Sequence, residues 1–174
     1  MIKDNVRSKE ASLQADEAQF AVFRVGGEEY AIDIMRIMEI IRPQKVTRIP
    51  KAPEFVEGII NLRGKVVPVL DLRKRFGIDP EDADRKKIRI VIVKMAGRVL
   101  GVVVDEVTEV IYLKSDQVES TPEAVKGAGA DYLKGVGKVG DRLIVLLDMD
   151  KVLSGDEMMK LHAAEDMAKA GGMK

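Results

Sequence analysis

"EGIINLRGKVVPVLDLRKRFG", residues 57–77, reads as a strand, a tight turn, a second strand and one short helical turn. Its apolar residues alternate and then run almost unbroken through "VVPVLDL", as strands of a small barrel require. Pro68 has no N–H to give a neighbour, which predicts an edge strand or a bulge at that point. Asp71 stands where a helix N-cap would, and Gly77 where the closing glycine would. The turn itself is unusual. Asn61 and Gly64 are turn residues, but Leu62 and Arg63 between them are not.

Working outward, the same kind of unit recurs. "GEEYAIDIMRIMEI" (27–40) falls on "GRVLGVVVDEVTEV" (97–110) at a constant offset of 70. Gly27 meets Gly97, Ile32 meets Val102, Ile34 meets Val104, Ile37 meets Val107, and Glu39 meets Glu109. Beyond this the offset becomes 77, with Gly58 on Gly135, Val69 on Leu146, Leu70 on Leu147 and Asp71 on Asp148. Apolar alternation alone aligns by chance; glycines, a glutamate and an aspartate in register do not. The chain therefore reads as two copies of one unit. At offset 77 the Leu-Arg pair of the turn has no counterpart, since Val139 and Gly140 stand there. Arg63 is on this comparison either neutral surface or a recognition residue.

The flanks fit this frame. "QFAVFRVGGEEYAIDI" from Gln19 and "IRIVIVKMAGRVLGVVVDEV" are hairpins around Gly26-Gly27 and Ala96-Gly97. "MRIMEIIRP" spaces Ile34, Ile37, Met38 and Ile41 as a helix or a bent strand would, and Pro43 ends it. Residues 78–86 form a charged loop and 114–134 a long loop with one helical turn. Residues 1–18 are polar and predict a frayed arm, whereas Leu153, Met158, Leu161 and Ala164 recur at helical spacing near the C-terminus. Short strands with glycine turns and no βαβ rhythm give an all-β fold with a few short helices, built of small barrels. The expected domains are an arm (1–18), a first subdomain (19–85), a second (86–155) and a C-terminal helix and tail (156–174). A groove between two packed barrels is a common place for a ligand.

Composition removes several functions. The 174 residues carry 29 basic and 29 acidic side chains, so no basic excess points to nucleic acid or to an anionic membrane. There is no cysteine, which excludes disulfides, thiolate chemistry and iron–sulfur clusters. No apolar run approaches the ~18 residues of a membrane helix, and the N-terminus has no signal-peptide core. The single histidine, His162, lies far from both units, and no serine sits in a nucleophile motif. "DPEDAD" (79–84) lacks the glycine and distal glutamate of a calcium loop. "RKR" at 73–75 has no interleaved aromatics and reads as a solvated face. No catalytic residue, cofactor or metal is expected. What remains is recognition by surface. Glu39 and Arg63 are opposite charges beside Ile37, Met38 and Leu62, the anatomy of an apolar patch with a charged rim. The competing reading makes Ile37 and Leu62 core residues and Glu39–Arg63 a surface ion pair of little worth.

The quoted stretches, together with "VTRIPKAPEFVEG" and "YLKGVGKVGDRLIVLLDMDKVL", resemble the CheW family of chemotaxis coupling proteins over about residues 18–155, with "EGIINLRGKVVPVLDLR" the most specific motif. The resemblance implies two SH3-like five-stranded barrels and no enzymatic activity. It implies a cytoplasmic adaptor, monomeric alone and array-forming in complex. Its implied partners are the regulatory domain of the histidine kinase CheA and the cytoplasmic tip of methyl-accepting chemoreceptors at the inner membrane. Residue by residue, Ile37, Glu39, Gly58, Asn61 and Arg63 match positions of the receptor-binding and coupling surface, and Ile34 and Met35 fall near the kinase-binding patch. The same resemblance leaves room for a coupler serving twitching motility or another kinase cascade. An enzyme or a nucleic-acid-binding double barrel would need a catalytic constellation or a basic face that the sequence does not display.

Overall fold

Alternation along each strand divides the apolar residues between two different cores, and this decides the architecture. In β1 (Glu17–Val25) Val22 points one way and Phe23 the other; in β5 (Lys65–Asp71) Val69 and Leu70 do the same. Both faces of such strands are largely buried, which is why "VVPVLDL" and "IRIVIV" are near-continuous apolar runs rather than alternating ones. The structure, a computed structural model, describes residues 17–78, 84–95, 97–120, 132–153, 157, 159–163 and 166.

The remaining strands are β2 (Glu28–Asp33), β3 (Ile37–Ile41), β4 (Val56–Leu62), β6 (Arg89–Met95), β7 (Arg98–Val104), β8 (Glu106–Lys114), β9 (Val118–Ser120), β10 (Leu133–Val139) and β11 (Arg142–Leu147). They form one sheet in the order β8-β1-β2-β11-β10-β9 and another in the order β3-β6-β7-β5-β4. Each sheet rolls around a private core to which all its strands contribute. Phe20, Val22, Ala31, Ile111, Leu113, Ile144 and Leu146 fill the first, with Val118 and Val139 against them. Ile60, Val67, Val69, Ile90 and Ile92 fill the second, with Ile41, Leu62, Val99 and Val103. A third, shared core lies between the sheets, from Phe23 and Ile32 to Leu70, Val91, Val93, Val102 and Leu147.

The repeat read from the sequence is present strand for strand. β1, β2, β3, β4 and β5 of the first unit correspond to β6, β7, β8, β10 and β11 of the second. Both units have the same bulges, between Ile37 and Glu39 and between Val107 and Glu109, where Met38 and Thr108 are the extra residues. Both have the same parallel pairing, Leu146 with Ala31 and Val69 with Gly101. The units nevertheless do not build one sheet each. The hairpin β1–β2 joins the repeated strands β8, β10 and β11 of the second unit, and β6–β7 joins β3, β4 and β5 of the first. A division at 85/86 thus marks the repeat but not the sheets, which exchange hairpins. Beyond its five repeated strands the first sheet carries a short sixth, β9; the second sheet has in its place only the bridge between Thr47 and Ile59.

Three smaller expectations change. Glu17 and Ala18, expected in the arm, pair with Lys114 and Leu113, while residues 1–16 lie outside the described residues. Residues 114–120 are not loop: β8 runs to Lys114 and a 3-10 turn (Ser115–Gln117) leads into β9, while 121–131 lie outside the described residues. Pro68 is tolerated in an interior strand rather than an edge. β5 pairs with β4 throughout but with β7 only from Val69 onward, so no donor is required of Pro68 on that side. Asp71 and Gly77 behave as expected around α1 (Leu72–Arg75). The Asp71 carboxylate accepts the Arg73 N–H at 2.9 Å. Past the helix, the N–H groups of Gly77 and Ile78 donate to the carbonyls of Lys74 and Arg73, a Schellman close with Gly77 at φ 69°.

The C-terminal helix is part of the body. Residues 159–163 are helical and Leu161 is fully buried in the shared core with Val152 and Leu153. Arg75 holds this region to α1: its Nε donates to the Val152 carbonyl at 2.8 Å and Nη2 to Glu157 at 3.3 Å. Its guanidinium lies over the rings of Phe55 and Tyr132. Tyr132 also ends a stack running through Phe76 and Tyr30 to Phe23, so most of the chain's few aromatics are gathered at this junction.

Candidate functional site

The turn that opened the sequence reading is a two-residue hairpin loop. Leu62 pairs with Lys65, and Arg63 (φ 50°) and Gly64 (φ 85°) are both left-handed, as a type I′ turn demands. The Asn61 side chain accepts the Gly64 N–H at 2.8 Å and stabilises the turn from within. Leu62 faces inward onto the core of the second sheet. Arg63 faces outward, its side chain 72% exposed, and its Nη2 donates to the Glu39 carboxylate. Glu39 sits on β3, one edge of that sheet, and Arg63 follows β4, the other edge. The bridge therefore closes the roll of the sheet. Glu39 in turn holds the Arg63 guanidinium above its ordinary pKa, by the hydrogen bond first and by charge second.

Comparison of the two units changes the meaning of this pair. Glu109, the counterpart of Glu39, also has an arginine across from it: Arg142 Nη1 donates to it at 3.0 Å. Arg142 lies two residues beyond Gly140, the position matching Arg63, so a comparison at fixed offset misses it. Each sheet thus carries a glutamate–arginine bridge from an edge strand across its roll, to the β4–β5 turn in one and to interior β11 in the other, so Arg63 is more than the neutral surface that the comparison at fixed offset allowed. The two bridges differ in what they leave over. Arg142 is committed on both sides, because it also grips Glu29 through Nε (3.1 Å) and Nη2 (2.6 Å). That contact pulls the Glu29 carboxyl below its ordinary pKa, mainly through the hydrogen bond. Arg63 makes one bond and turns the rest of its five N–H donors to solvent.

The other expected site residues separate. Asn61 belongs to the Arg63 turn. Ile37 and Leu62 are half-buried and pack inward, the first on the shared core. Gly58 is buried and architectural: a Cβ there would stand 2.1 Å from the Thr47 carbonyl oxygen, with φ at 145°. Its counterpart Gly135 faces the Glu119 carbonyl in the same way, at 2.6 Å. Ile34 and Met35 lie on a 3-10 turn (Ile34–Arg36) leading into β3, capped by Asp33, with Met35 85% exposed and Ile34 half-buried. Arg36 of that turn pairs with Asp150 at 2.7 Å. The residues that sequence reasoning did not single out are Ile40, exposed with Met38 along an edge strand with one open side, and Arg142. Strict alternation would have found Ile40 had the bulge at Met38 been foreseen.

Among the described residues no group of three His, Asp or Glu side chains could hold a metal ion, and no helix is long and apolar enough to cross a membrane. Paired sheets with an open apolar edge and a spare arginine fork at its rim form a binding module. The chain belongs to the CheW family: the family's CheW-like domain matches residues 19–157. The chemotaxis protein CheW of Klebsiella aerogenes is 39% identical over 140 residues, covering 80% of this chain and 84% of that one. The chemotaxis protein CheW of Treponema pallidum is 37% identical over 153 residues, covering 86% and 90%. The crystal structure of the scaffolding protein TtCheW from Thermoanaerobacter tengcongensis superposes with a TM-score of 0.73 at 36% identity, covering 82% of this chain and 97% of that one.

Proposed function

We propose that this chain is a non-enzymatic adaptor of chemotaxis signalling that joins chemoreceptor tips to the regulatory domain of the kinase CheA in the cytoplasm. Family membership supports the adaptor role, and the relatives carry chemotaxis and scaffolding names. The observation that carries the site is the asymmetry of the two bridges. Arg142 is saturated by two glutamates, while Arg63 keeps an open fork beyond its bond to Glu39, and Met38 and Ile40 are exposed on the edge strand that carries Glu39. A fork of that kind suits a carboxylate or a helix-terminal carbonyl, and the apolar edge suits the apolar face of a helix. Glu39 orients Arg63, and Asn61 holds the turn that presents it. Met35, at the opposite end of β3, offers an apolar knob for the kinase domain with Ile34 beneath it.

The test is calorimetric titration of the full chain with a receptor-tip fragment and with a CheA regulatory domain. Each titration is repeated with Arg63→Ala and Glu39→Ala. Binding to both fragments in the micromolar range, about −8 kcal/mol, with at least a tenfold loss for Arg63→Ala at one of them and an unchanged melting temperature, supports the reading. Undiminished affinity in the folded Arg63→Ala protein would remove Arg63 from the interface. Absence of binding to either folded fragment would remove the adaptor role.

A further inference from the structure

Arg63 neutralises Glu39 in the middle of β3, but the cations just past its C-terminal end are left uncompensated. Ile41, the last residue of β3, pairs with Ile90, so Arg42 and Arg89 are the next neighbours across the ladder. Like charges facing each other across strands are destabilising. Arg85 and Lys86 add two more cations from the turn before β6. The four surround Pro43 in a cavity of about 520 Å³, and among the described residues no acidic side chain lines it. The Asp84 carboxylate accepts the Lys86 backbone N–H at 3.0 Å. Arg89 is half-buried, and its Nη1 donates to the carbonyls of Lys86 (2.8 Å) and Ile88 (2.7 Å), which fixes the guanidinium. Elsewhere on this electroneutral chain Arg36, Arg63, Arg73, Lys74, Arg75 and Arg142 each have a carboxylate. Among the described residues Arg42, Arg85, Lys86 and Arg89 form no salt bridge.

We infer that this cavity is a binding site for a small polyanion of the phosphate class, a ligand carrying two or more linked phosphates. Three guanidinium forks and an ammonium match phosphate oxygens in geometry and in charge. The volume is that of a small-ligand site. The lining holds no aromatic ring, so recognition is of the phosphates and not of a base stacked beside them. A free polyphosphate and a nucleoside triphosphate therefore bind alike.

The experiment is an NMR titration of the full chain, at constant ionic strength, with sodium tripolyphosphate, with ATP and with sodium sulfate. The expected result is saturable shifts confined to backbone amides near 41–44 and 85–90, with tripolyphosphate and ATP within a few fold of each other and both well above sulfate. Arg42→Gln with Arg85→Gln weakens both by at least tenfold, while Lys94→Gln, an exposed cation elsewhere on β6, does not. In the absence of ligand the double variant melts no lower than the parent, because it relieves repulsion. Shifts spread over all basic surfaces, or non-saturable shifts, would overturn the site. So would a tighter hold on ATP that follows its base, on an oligoglutamate peptide of equal charge, or only after Asp79, Glu81 and Asp82 are neutralised. A lower melting temperature in the double variant would make these cations structural and equally end the proposal.

Discussion

Replacing Leu161 by Ala separates two views of the C-terminus. By sequence residues 156–174 read as a helix and tail outside the two subdomains, and a helix that does not pack on them would cost nothing to disturb. In the structure Leu161 is fully buried in the core shared by the two sheets, where it joins Val152, Leu153 and Met149. A Leu→Ala change at such a site removes the transfer energy of the side chain and leaves a cavity, about 3 kcal/mol in all. For a chain of this length each kcal/mol moves the melting temperature by about 3 °C, so a fall of about 9 °C is expected. The loss has a ceiling. If the shortened side chain lets the helix undock, the protein forfeits only the docking energy, including the contact of His162 with Arg98 and the Arg75–Glu157 bridge. Thermal unfolding followed by circular dichroism measures the total, and hydrogen exchange of amides 159–163 shows whether undocking precedes global unfolding. Met159→Ala, at a position 73% exposed on the same helix, is the control and should shift melting by less than about 1 °C. A Leu161→Ala protein that melts with the parent would refute the integral helix and return the segment to the status of a tail.

Two further outcomes follow from the geometry. Gly58→Ala and Gly135→Ala should each lower the melting temperature by about 5–10 °C, from a strain of about 2–3 kcal/mol where the new Cβ meets a backbone carbonyl that cannot retreat. An unchanged melting point with impaired partner binding would instead restore Gly58 to the recognition surface. The acid side of the stability curve should show opposing carboxylates. Glu29, lowered below 4.5 by Arg142, contributes stability that is present above that pH and lost as pH falls through its folded-state pKa. Asp71, raised chiefly by burial, favours the fold when protonated, and that contribution is lost as pH rises through its own folded-state pKa. Glu29→Gln should therefore melt lower than the parent at pH 7, with the gap closing on acidification. Asp71→Asn keeps an oxygen for the Arg73 N–H and should gain on the parent as pH rises; the same sign for both variants would refute the assignment.

The strands, the turn, the cap at Asp71 and the repeat were legible because each rests on local pattern: alternation, glycine at left-handed positions, a short polar side chain before a helical turn. The bulge at Met38 was not, since one extra residue in "MRIMEIIRP" makes a strand look helical. The Arg142–Glu109 bridge escaped because its arginine lies two places beyond the position matching Arg63. Buried Gly58 resembled a site residue because sequence shows that a side chain is absent but not which carbonyl fills its place. Least legible was the exchange of hairpins, since two nearly equal units leave no local mark of which one a hairpin joins.

Long-range charge supplies that mark. In the second sheet Arg73, after β5 of the first unit, binds Asp105, after β7 of the second unit, at 2.6 Å with both side chains largely buried; Asp105 also accepts the Gly26 N–H. In the first sheet Asp150, after β11 and matching Arg73, binds Arg36, after β2 and one residue past the position matching Asp105, so the signs at this corner run the other way. Suppose each hairpin stayed within its own unit, as the shorter loop closure would favour. Arg73 would then lose Asp105 and approach the turn that carries Arg36, and Asp150 would lose Arg36 and approach the corner that carries Asp105 and Glu106. The half-exposed Arg36–Asp150 pair is worth only about 0–1 kcal/mol, so the partly buried Arg73–Asp105 pair is the larger loss. The Arg142–Glu29 bridge works in the same direction, because it joins β11 of the second unit to β2 of the first. Apolar alternation makes both sheets possible, and the Arg73–Asp105, Arg36–Asp150 and Arg142–Glu29 bridges each join one unit to the other and so favour the exchanged arrangement.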